Sequence, residues 1–421
     1  MLTTRPRGTN DILPGEVEKW QYIEETARKV GRHYGYQEIR TPIFEHTELF
    51  QRGVGETTDI VEKEMYSFED RGNRNITLRP EGTAPTVRAF LENKLYAEPQ
   101  PVKLYYIGPM FRYDRPQAGR YREFHQFGIE VFGSNHPSVD AEVIGLACDY
   151  LDRLGLNNLA VHINTVGCPQ CRPLHRDALQ VFFKDKGDKL CKTCQGRLEK
   201  NPLRILDCKN EECQKLSIGA PTTQDSTCSQ CSNHFSQVKM YLDAIGVNYT
   251  VNPKLVRGLD YYTHTAFEIL VQGIGAQSAI CGGGRYNGLI EQCGGKPMPG
   301  IGFAMGLERL LLTLEQQIPW QQLGIRPDVF VASMGDKAQE AAFKLTMDLR
   351  KKGYSVEKDY LEKSLKAQMK SADRFNVKYT VIIGEEEVAK GKVIVREMAS
   401  GRQQEIDLNE VISYMEGELT K

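Results

Sequence analysis

The sequence lacks any apolar run of about 18 residues, the length that a membrane-spanning helix requires. Its first twenty residues have no apolar signal core and carry acidic side chains early, so they predict neither a secretory nor an organellar targeting segment. The formal net charge is only −1, which gives no overall signature of a nucleic-acid-binding surface. We therefore expect a cytoplasmic protein with no membrane contact, in which local patches would have to bind any polyanion.

Several well-known catalytic signatures are also absent. The chain has no Walker-type phosphate loop, no G-x-S-x-G turn and no H-E-x-x-H helix. Support is therefore lost for P-loop nucleotide hydrolases, for α/β-hydrolases and for the common zinc proteases. The composition itself is ordinary for a globular protein, but 421 residues are too many for one core, and we expect two or three domains.

The apolar pattern of the first part of the chain predicts a mixture of helices and antiparallel strands. Apolar residues step by three and four from Val17 to Tyr34, which indicates an amphipathic helix ended by Gly35. Two strand-like segments, EMYSFED and NITLRP, are joined by a hairpin signal, RGNR. Two longer strands flank the loop RPQAGRY, and we expect Ser138 to cap the helix that runs to Leu154.

The composition changes twice further along the chain. Residues 168–232 are polar and rich in cysteine, which indicates a module inserted into the first domain. After residue 325 the pattern reads strand, helix, strand, helix, strand, strand, helix, which predicts a separate α/β domain. We therefore expect a catalytic domain at 1–325, interrupted at about 168–232, and a second domain at 326–421.

A basic patch lies in the second domain, at residues 344–378. It contains ten Lys and Arg against five Asp and Glu. Such a patch suits a phosphate backbone, but on charge alone a solvated helix face explains it equally well.

The stretch from Gly108 to Gly133 carries the most distinctive chemistry. Four arginines fall within eleven positions, at 112, 115, 120 and 122. Because the guanidinium fork matches phosphate oxygens and keeps its charge, several arginines on neighbouring strands predict a polyphosphate site. Phe124 offers a face for a nucleobase, whereas Gln126 and Glu130 place polar groups inside an apolar strand. The alternative is a solvated basic loop.

Four weaker signals accompany this hairpin. Glu81 and Thr83 lie where a strand gives way to a helix, a place where a carboxylate can bind an ammonium group or simply cap the helix. The stretch LVRGLDYYTHTAFE brings together four polar residues that suit a small polar ligand: Arg257, Asp260, Tyr261 and Tyr262. The alternative is that Arg257 and Asp260 form a structural ion pair. The glycines at 282–284 allow a close backbone approach to a ligand, although such a run alone is weak evidence. Arg309 opens a helix in GIGFAMGLERL, where a surface arginine is the favoured alternative when it is taken singly.

Taken together and in this order, these segments resemble the histidyl-tRNA synthetases, a family of class II aminoacyl-tRNA synthetases. EIRTPIFE resembles motif 1, FRYDRPQAGRYREFHQFGIEVFG motif 2 and GIGFAMGLERLLL motif 3. LVRGLDYY and GGGRYNGL resemble the two histidine-specific signatures of the family. The resemblance covers nearly the whole chain. It implies an α+β fold, with a class II catalytic domain on an antiparallel sheet, a cysteine-rich insertion and a C-terminal α/β domain that reads the anticodon.

The resemblance also implies a function: a ligase that joins histidine to tRNA(His) through a histidyl-adenylate, with ATP and magnesium, as a homodimer. It assigns the α-phosphate to Arg112 and the outer phosphates to Arg120 and Arg309, and it places adenine between Phe124 and Arg309. It puts Arg257 near the α-phosphate and the histidine carboxylate, where related enzymes hold a metal. The residues that it assigns to histidine are Glu81, Thr83, Arg112, Gln126, Glu130, Arg257, Tyr261 and Tyr262.

Within that histidine set the roles differ. The resemblance gives the ammonium group to Glu81 and Thr83, with help from Gln126. It gives the two imidazole nitrogens to Glu130 and Tyr262. A site that pairs both nitrogens rejects analogues that lack them, because its buried polar groups would be left without partners. We therefore expect no editing domain.

Two other functions compete with this interpretation. One is a regulatory paralogue of the synthetases, a class that typically lacks the anticodon domain and loses motif arginines. The other is an RNA-binding module, which would need no arrangement of Arg257, Glu130 and Tyr262 around a small ligand. Since this sequence has both the arginines and the C-terminal domain, we prefer the synthetase.

The cysteines are a departure, since many members of the family lack them in the insertion. Eight of the eleven lie between residues 168 and 231, in three C-x-x-C pairs and one looser pair. Such spacing lets both thiolates of a pair reach one tetrahedral ion, so four pairs predict up to two structural zinc sites. The alternatives are free thiols and, less favoured in the cytoplasm, disulfides. We expect Cys191 and Cys194 to join Cys228 and Cys231, and Cys168 and Cys171 to join Cys208 and Cys213.

Overall fold

The chain folds as two compact units, Met1–Trp320 and Gln321–Lys421, in the computed structural model. The structure describes residues 3–419 except 56, 57, 59, 157, 207, 209, 272–278, 316, 318, 319 and 321–325. The boundary expected at 325/326 adjoins residues 321–325, which lie outside the described residues, so it stays a prediction. Among the described helices, none is long and apolar enough to cross a membrane.

The first unit is built on an eight-stranded sheet with the order β1-β5-β6-β11-β10-β9-β7-β8, and β2, β4 and β3 form a separate sheet of three strands. The strands are β1 (Gln37–Glu38), β2 (Phe44–His46), β3 (Tyr66–Glu69), β4 (Asn75–Leu78), β5 (Val102–Phe111), β6 (Glu123–Phe132), β7 (Leu159–Thr165), β8 (Tyr249–Val251), β9 (Thr263–Val271), β10 (Ala279–Arg285) and β11 (Gly300–Gly306). The six central strands are antiparallel, and only the edge strands β1 and β8 pair in parallel.

Helices cover one face of this sheet. The helices of the unit are α1 (Val17–His33), α2 (Thr47–Val54), α3 (Thr83–Glu92), α4 (Pro137–Arg153), α5 (Cys171–Phe183), α6 (Lys192–Lys200), α7 (Glu211–Leu216), α8 (Ser229–Ala244), α9 (Leu289–Gln292) and α10 (Leu307–Leu314). Buried residues of α1, α4, α8 and α10 pack with alternate residues of β6 and β11 in the main core. Because side chains alternate across a strand, the intervening residues of β6 and β11 face the other side.

The local predictions for this unit mostly agree with the structure. The first helix ends at His33, one residue before the expected end, and the EMYSFED–NITLRP hairpin pairs Tyr66 with Leu78. Ser138 is a correction. The helix begins at Pro137, and the imidazole of His136 accepts a hydrogen bond from the Ser138 amide. Proline suits the first helical position because it has no N–H to leave unpaired. The cap is therefore His136, directly before Pro137, and not Ser138.

The insertion between β7 and β8 is helical and has a small core of its own. Its buried residues include Leu179, Phe183 and Ile205, which pack with three cysteines, Cys194, Cys208 and Cys213. The sequence suggested a segment with few apolar residues, and the structure shows how they are used. These apolar side chains pack around the cysteine side chains instead of forming one continuous apolar stripe along a helix.

The second unit has a five-stranded sheet with the order β13-β12-β14-β15-β16. Its elements are β12 (Val329–Met334), α11 (Asp336–Lys351), β13 (Val356–Lys358), α12 (Leu365–Phe375), β14 (Tyr379–Gly384), α13 (Glu385–Lys390), β15 (Lys392–Glu397), β16 (Gln403–Asp407) and α14 (Val411–Leu419). The predicted order omits α13 and β16. Both are short, and β16 alternates polar side chains with the single apolar residue Ile406, so its apolar pattern is weak.

A buried ion pair joins α4 to the end of β10. Asp140 and Arg285 are both fully buried, and the guanidinium donates to both carboxylate oxygens, with the shortest contact at 2.6 Å. Arg285 also donates to the carbonyl oxygens of Ser134 and His136, and Asp140 contacts His234 of α8 at 3.2 Å. The nearby arginine lowers the carboxyl pKa of Asp140, against the effect of burial.

We predict that Arg285→Met lowers the free energy of unfolding by about 3–5 kcal/mol, because it leaves the Asp140 carboxylate buried without its main partner. Urea unfolding at pH 7 measures the loss. The matched control is Arg153→Met, which breaks the exposed pair with Asp149 on the same helix and should cost less than about 1 kcal/mol. Equal losses for the two variants would contradict the role given to the buried pair.

Candidate active site and cysteine clusters

A cavity of about 290 Å³ opens on the sheet face opposite the main helical core. Its walls come from the β5–β6 hairpin, the start of α3, the segment before β9, strand β10 and the β11–α10 junction. Ten of the eleven residues predicted to bind histidine or ATP line it: Glu81, Thr83, Arg112, Arg120, Phe124, Gln126, Arg257, Tyr261, Tyr262 and Arg309. Only Glu130 does not reach its surface.

One end of the cavity is cationic. Arg112 donates from Nε to the carbonyl oxygen of Pro80 at 2.8 Å, and its guanidinium lies 5.2 Å from the centre of the Phe124 ring. Arg309 donates to the carbonyl oxygens of Gly119 at 3.2 Å and Ala279 at 3.1 Å. Burial lowers the pKa of both arginines, but arginine stays charged at any ordinary pH. The backbone thus fixes two desolvated cations in place.

The four hairpin arginines do not act together as the sequence suggested. Arg112 and Arg120 face the cavity, and Arg120 also pairs with Asp114 at 2.7 Å. Arg122 instead stacks on Tyr113 at 3.8 Å, and the side chain of Arg115 is exposed. Two arginines of the hairpin are therefore available to a ligand in the cavity.

Hydrogen-bond acceptors gather at the other end. Glu81 accepts from the backbone amides of Thr83 at 2.7 Å and Ala84 at 2.8 Å, so the capping role considered for it is realised at the start of α3. It also lines the cavity, and burial raises its pKa. The Oε1 atom of Gln126 is buried without a hydrogen-bond partner among the described residues. An orphaned acceptor in a cavity wall indicates a donor on the ligand.

Glu130 lies directly behind this wall. It is fully buried and accepts hydrogen bonds from Thr83 at 2.8 Å, from Tyr106 at 3.4 Å and from Tyr286. Burial raises its pKa to about 8, a change that the three hydroxyl donors oppose. Thr83 and Tyr286 both line the cavity, so they connect Glu130 to it. Direct pairing of Glu130 with an imidazole nitrogen stays a prediction.

Arg257 also lines the cavity, beside Tyr262. Its guanidinium pairs with Glu268 of β9 and lies 5.7 Å from the centre of the Tyr262 ring, while its Nε atom is buried without a hydrogen-bond partner among the described residues. A β-carbon on Gly282 would overlap the guanidinium, so the glycine allows this close packing. The carboxylate of Asp260, the alternative partner, accepts from Asn201 at 3.2 Å.

Sequence reasoning missed three residues of this site. Tyr286 lies inside the quoted GGGRYNGL signature, but its hydroxyl was given no partner there. Glu268 is the one acidic residue of β9, an apolar strand, and this was a usable signal. Tyr106 alternates with apolar residues in β5 and looks like a core residue until Glu130 is placed beside it.

Comparison with known proteins identifies the family. The sequence model described as Histidyl-tRNA synthetase matches residues 8–310, and the one described as Anticodon binding domain matches residues 328–418. The chain belongs to the histidyl-tRNA synthetase family. The predicted family and its class II fold are thereby confirmed, as is the place of the chain among the aminoacyl-tRNA synthetases.

Individual relatives agree over the full length. The chain is 64% identical over 415 residues to "Histidine--tRNA ligase" of Desulforamulus reducens, covering 99% of each chain. It is 61% identical to the protein of that name from Pelotomaculum thermopropionicum, covering 100% of this chain and 99% of the relative. A crystal structure of apo S. aureus histidyl-tRNA synthetase superposes with a TM-score of 0.83 at 43% identity, covering 98% of this chain and 99% of that one.

The eight cysteines of the insertion form two clusters, and the expected pairing is wrong. The proximal cluster is Cys168, Cys171, Cys228 and Cys231, and the distal cluster is Cys191, Cys194, Cys208 and Cys213. In each, the four sulfur atoms lie within 4.8 Å of one another, and all eight cysteines are free thiols. The first and last pairs meet because the start of α5, at Cys171, lies beside the start of α8, at Cys228 and Cys231. Spacing along the sequence could not show this.

The sulfur geometry suits a tetrahedral ion. Sγ–Sγ distances are 3.5 Å for Cys168 and Cys171, and 3.9 Å for Cys191 and Cys208. Four thiolates at the usual zinc–sulfur distance of about 2.3 Å would lie about 3.8 Å apart. Backbone amides that donate to sulfur lower the pKa of Cys191 and Cys228 to about 7, which favours the thiolate at one position of each cluster. Burial raises the pKa of four other thiols, those of Cys171, Cys194, Cys213 and Cys231.

We predict that Glu130→Gln stabilises the empty protein, and does so more as the pH rises. A carboxyl group whose pKa is about 8 in the fold and about 4.5 when unfolded binds its proton more tightly in the folded state. The stability of the wild type therefore falls by about 1.4 kcal/mol per pH unit between pH 5 and 8, relative to a variant without this group.

Urea unfolding of Glu130→Gln and wild type at pH 5.5 and pH 8 measures this difference. The exposed Glu291→Gln is the matched control and should follow the wild type at both values. The idea fails if the gap between Glu130→Gln and wild type does not widen with rising pH.

Proposed function

We propose that this protein charges tRNA(His) with histidine through a histidyl-adenylate formed in the cavity. One observation carries the proposal. A single cavity has a cationic end, with Arg112 and Arg309, next to an end of carboxylate, amide and hydroxyl groups, and Arg257 lines it beside Tyr262. A polyphosphate suits the first end, and a small zwitterion with a polar side chain suits the second. Neither a pure RNA-binding module nor a nucleotide hydrolase requires both.

In the first step, a carboxylate oxygen of histidine forms a bond to the α-phosphorus of ATP. The bond from that phosphorus to the bridging oxygen breaks, and pyrophosphate leaves with the electron pair. Negative charge spreads over the phosphoryl oxygens as this happens, and fixed cations in a desolvated site stabilise it. Arg112 supplies one such cation. Arg257 supplies the other, beside both the carboxylate and the α-phosphate.

The acceptor end recognises histidine. The ammonium group of histidine donates to Glu81, Thr83 and the unpartnered Oε1 atom of Gln126. Its imidazole lies against Tyr261 and pairs with Tyr262 and, at the back of the pocket, with Glu130. The network of Thr83, Tyr106 and Tyr286 around Glu130 holds that carboxylate in position before the ligand arrives.

The nucleotide occupies the cationic end. Its outer phosphates contact Arg120 and Arg309, and its adenine lies between Phe124 and Arg309. Three carboxylates nearby already have partners: Asp114 with Arg120, Glu268 with Arg257, and Glu308 with His125. Magnesium would therefore enter with the nucleotide, and would supply positive charge beside its phosphates.

In the second step, a terminal ribose hydroxyl of tRNA attacks the carbonyl carbon of the adenylate, and AMP leaves. The unit at 326–421 contributes recognition of the anticodon. Unpaired anticodon bases are read at their edges and by stacking, while lysine and arginine bind the phosphates. The basic patch at 344–378 supplies those cations.

The protein acts as a homodimer in this proposal. The three-stranded sheet and the segment before it expose large apolar side chains: Ile43, Phe44 and Phe68 are each about half exposed, at 45%, 53% and 51%. Two of them belong to the stretch that resembles motif 1. Clustered apolar exposure on a folded chain is typical of an interface.

Each cysteine cluster holds one structural zinc ion. Four thiolates complete a tetrahedron and keep no open position for water or substrate, so neither ion takes part in the reaction. The donor sets fit, because all eight sulfurs are free and each quartet is compact. The small core of the insertion, in which the distal sulfurs are buried among leucine and isoleucine, gains its stability from these ions.

We predict that the wild-type protein exchanges pyrophosphate into ATP only when histidine is present. We also predict that Gly282→Ala slows this exchange by about 100-fold, which corresponds to roughly 2.7 kcal/mol of activation free energy. The added methyl group overlaps the Arg257 guanidinium and displaces it. Arg257→Ala should show a similar loss. Gly196→Ala is the control, because its β-carbon would meet open space. Exchange that does not depend on histidine would refute the proposed function.

We predict that freshly prepared, reduced protein carries two zinc equivalents per chain. Elemental analysis counts the metal, and cobalt substitution should give the absorption of tetrahedral thiolate sites. Cys213→Ser should retain one equivalent, because it breaks only the distal quartet. A chain with no bound metal would end this part of the proposal.

A further inference from the structure

The proximal cluster closes the insertion at its base. Cys168 follows β7 almost directly, and Cys231 lies in the first turn of α8, where the chain returns to the main core. Cys171 connects the two, since its sulfur lies 3.8 Å from that of Cys231 and accepts a hydrogen bond from the Cys228 amide at 3.1 Å. An ion held here fixes where the insertion leaves the catalytic fold and where it rejoins it.

The residue after Cys171 reaches from this base to the histidine end of the cavity. Arg172 donates from one guanidinium nitrogen to the carbonyl oxygen of Asp260 at 3.1 Å and to that of Tyr262 at 3.3 Å. These two carbonyls flank Tyr261, and both tyrosines line the cavity. The Arg172 side chain is half-buried, so these hydrogen bonds are partly shielded from solvent.

His264, two residues after Tyr262, makes a second contact with the proximal cluster. Its Nδ1 atom is 3.6 Å from the Cys231 sulfur. Its backbone donates to the Gly167 carbonyl at 2.9 Å and accepts from the Val166 amide at 2.7 Å. His264 has a φ of +51°, a left-handed conformation that a non-glycine residue adopts only when its surroundings enforce it.

Gly167 shows how closely these parts are packed. It has a φ of +69°, and a β-carbon there would lie only 2.7 Å from the β-carbon of Cys171. The Cys168–Cys171 pair therefore lies against the backbone of Val166 and Gly167, which forms hydrogen bonds with the backbone of His264. Within the described part of the chain, no hydrogen bond joins the four distal cysteines themselves to residues 257–264, although Asn201, between the two distal pairs, donates to the Asp260 carboxylate at 3.2 Å.

From these contacts we infer that the proximal cluster, with its metal ion, is a positioning site for histidine binding, acting through Arg172 and His264 on Tyr261 and Tyr262. This inference rests on the proposed function. The ion never touches substrate. It holds the base of the insertion so that the segment 260–264 stays in the conformation that presents both tyrosines to the ligand. Loss of the ion weakens histidine far more than ATP, because among the described residues no hydrogen bond or ion pair joins Arg112, Arg120 or Arg309 to this base.

The chain offers a closely matched pair of variants for the test. Cys228 and Cys191 each precede a helix as its N-cap, each is half-buried, and each begins a C-x-x-C pair. Serine is a good N-cap, so either replacement keeps the start of its helix. Cys228→Ser breaks the proximal site and Cys191→Ser the distal one. Each should lose one of two zinc equivalents.

Binding of histidine and of ATP is then measured separately by calorimetry on the full-length chains. Cys228→Ser should weaken histidine about tenfold and change the Kd of ATP by less than twofold. Cys191→Ser should weaken histidine at least fivefold less than Cys228→Ser does. Equal weakening in the two variants would overturn the inference, because it would point to the folding of the insertion as a whole.

A third variant, Arg172→Met, cuts the connection and leaves all eight thiols in place. It should keep both zinc equivalents and still weaken histidine about tenfold. Histidine affinity within twofold of wild type would overturn the inference, even if Cys228→Ser shows a loss. If wild-type protein binds no histidine, the proposed function has failed instead, so the two failures are distinguishable.

Discussion

The structure of the cavity depends on one buried carboxylate, Glu130. A charge in that position is costly unless hydroxyl groups surround it, and three elements bring those groups together through Thr83, Tyr106 and Tyr286. The same crowding explains several glycines. A β-carbon on Gly302 would overlap Glu130, and one on Gly128 would overlap Tyr106. The glycine content of this face is therefore a consequence of where the acid lies.

The rest of the site is arranged around that constraint. The acid and its donors form the back wall of one end, and the backbone carbonyls of Pro80, Gly119 and Ala279 hold the cations of the other. These carbonyls fix arginine positions without neutralising their charge, as a carboxylate partner would. Arg120 and Arg257 differ, because Asp114 pairs with the first and Glu268 with the second. The cavity thus has two guanidiniums held by backbone carbonyls, Arg112 and Arg309, and two that are paired with carboxylates.

Sequence reasoning succeeded where the signal is local. The first amphipathic helix, the early hairpin and ten of the cavity residues follow from periodicity, turn residues and family motifs. It failed where partners are distant in sequence. The cysteine pairing depends on contact between the starts of α5 and α8, and the partners of Glu130 come from positions 47, 24 and 156 residues away. No spacing along the chain encodes such contacts.

The cysteine quartets are nested: all ligands of the distal cluster lie inside the loop that the proximal cluster closes. Cys171 and Cys231 are 60 positions apart, whereas Cys191 and Cys208 are only 17 apart. Since the entropy lost on closing a loop grows with its length, the inner quartet is the easier one to assemble from an open chain. Once it has formed, it shortens the path that the outer quartet must span. We therefore expect the distal quartet, near the tip of the insertion, to assemble before the proximal quartet at its base.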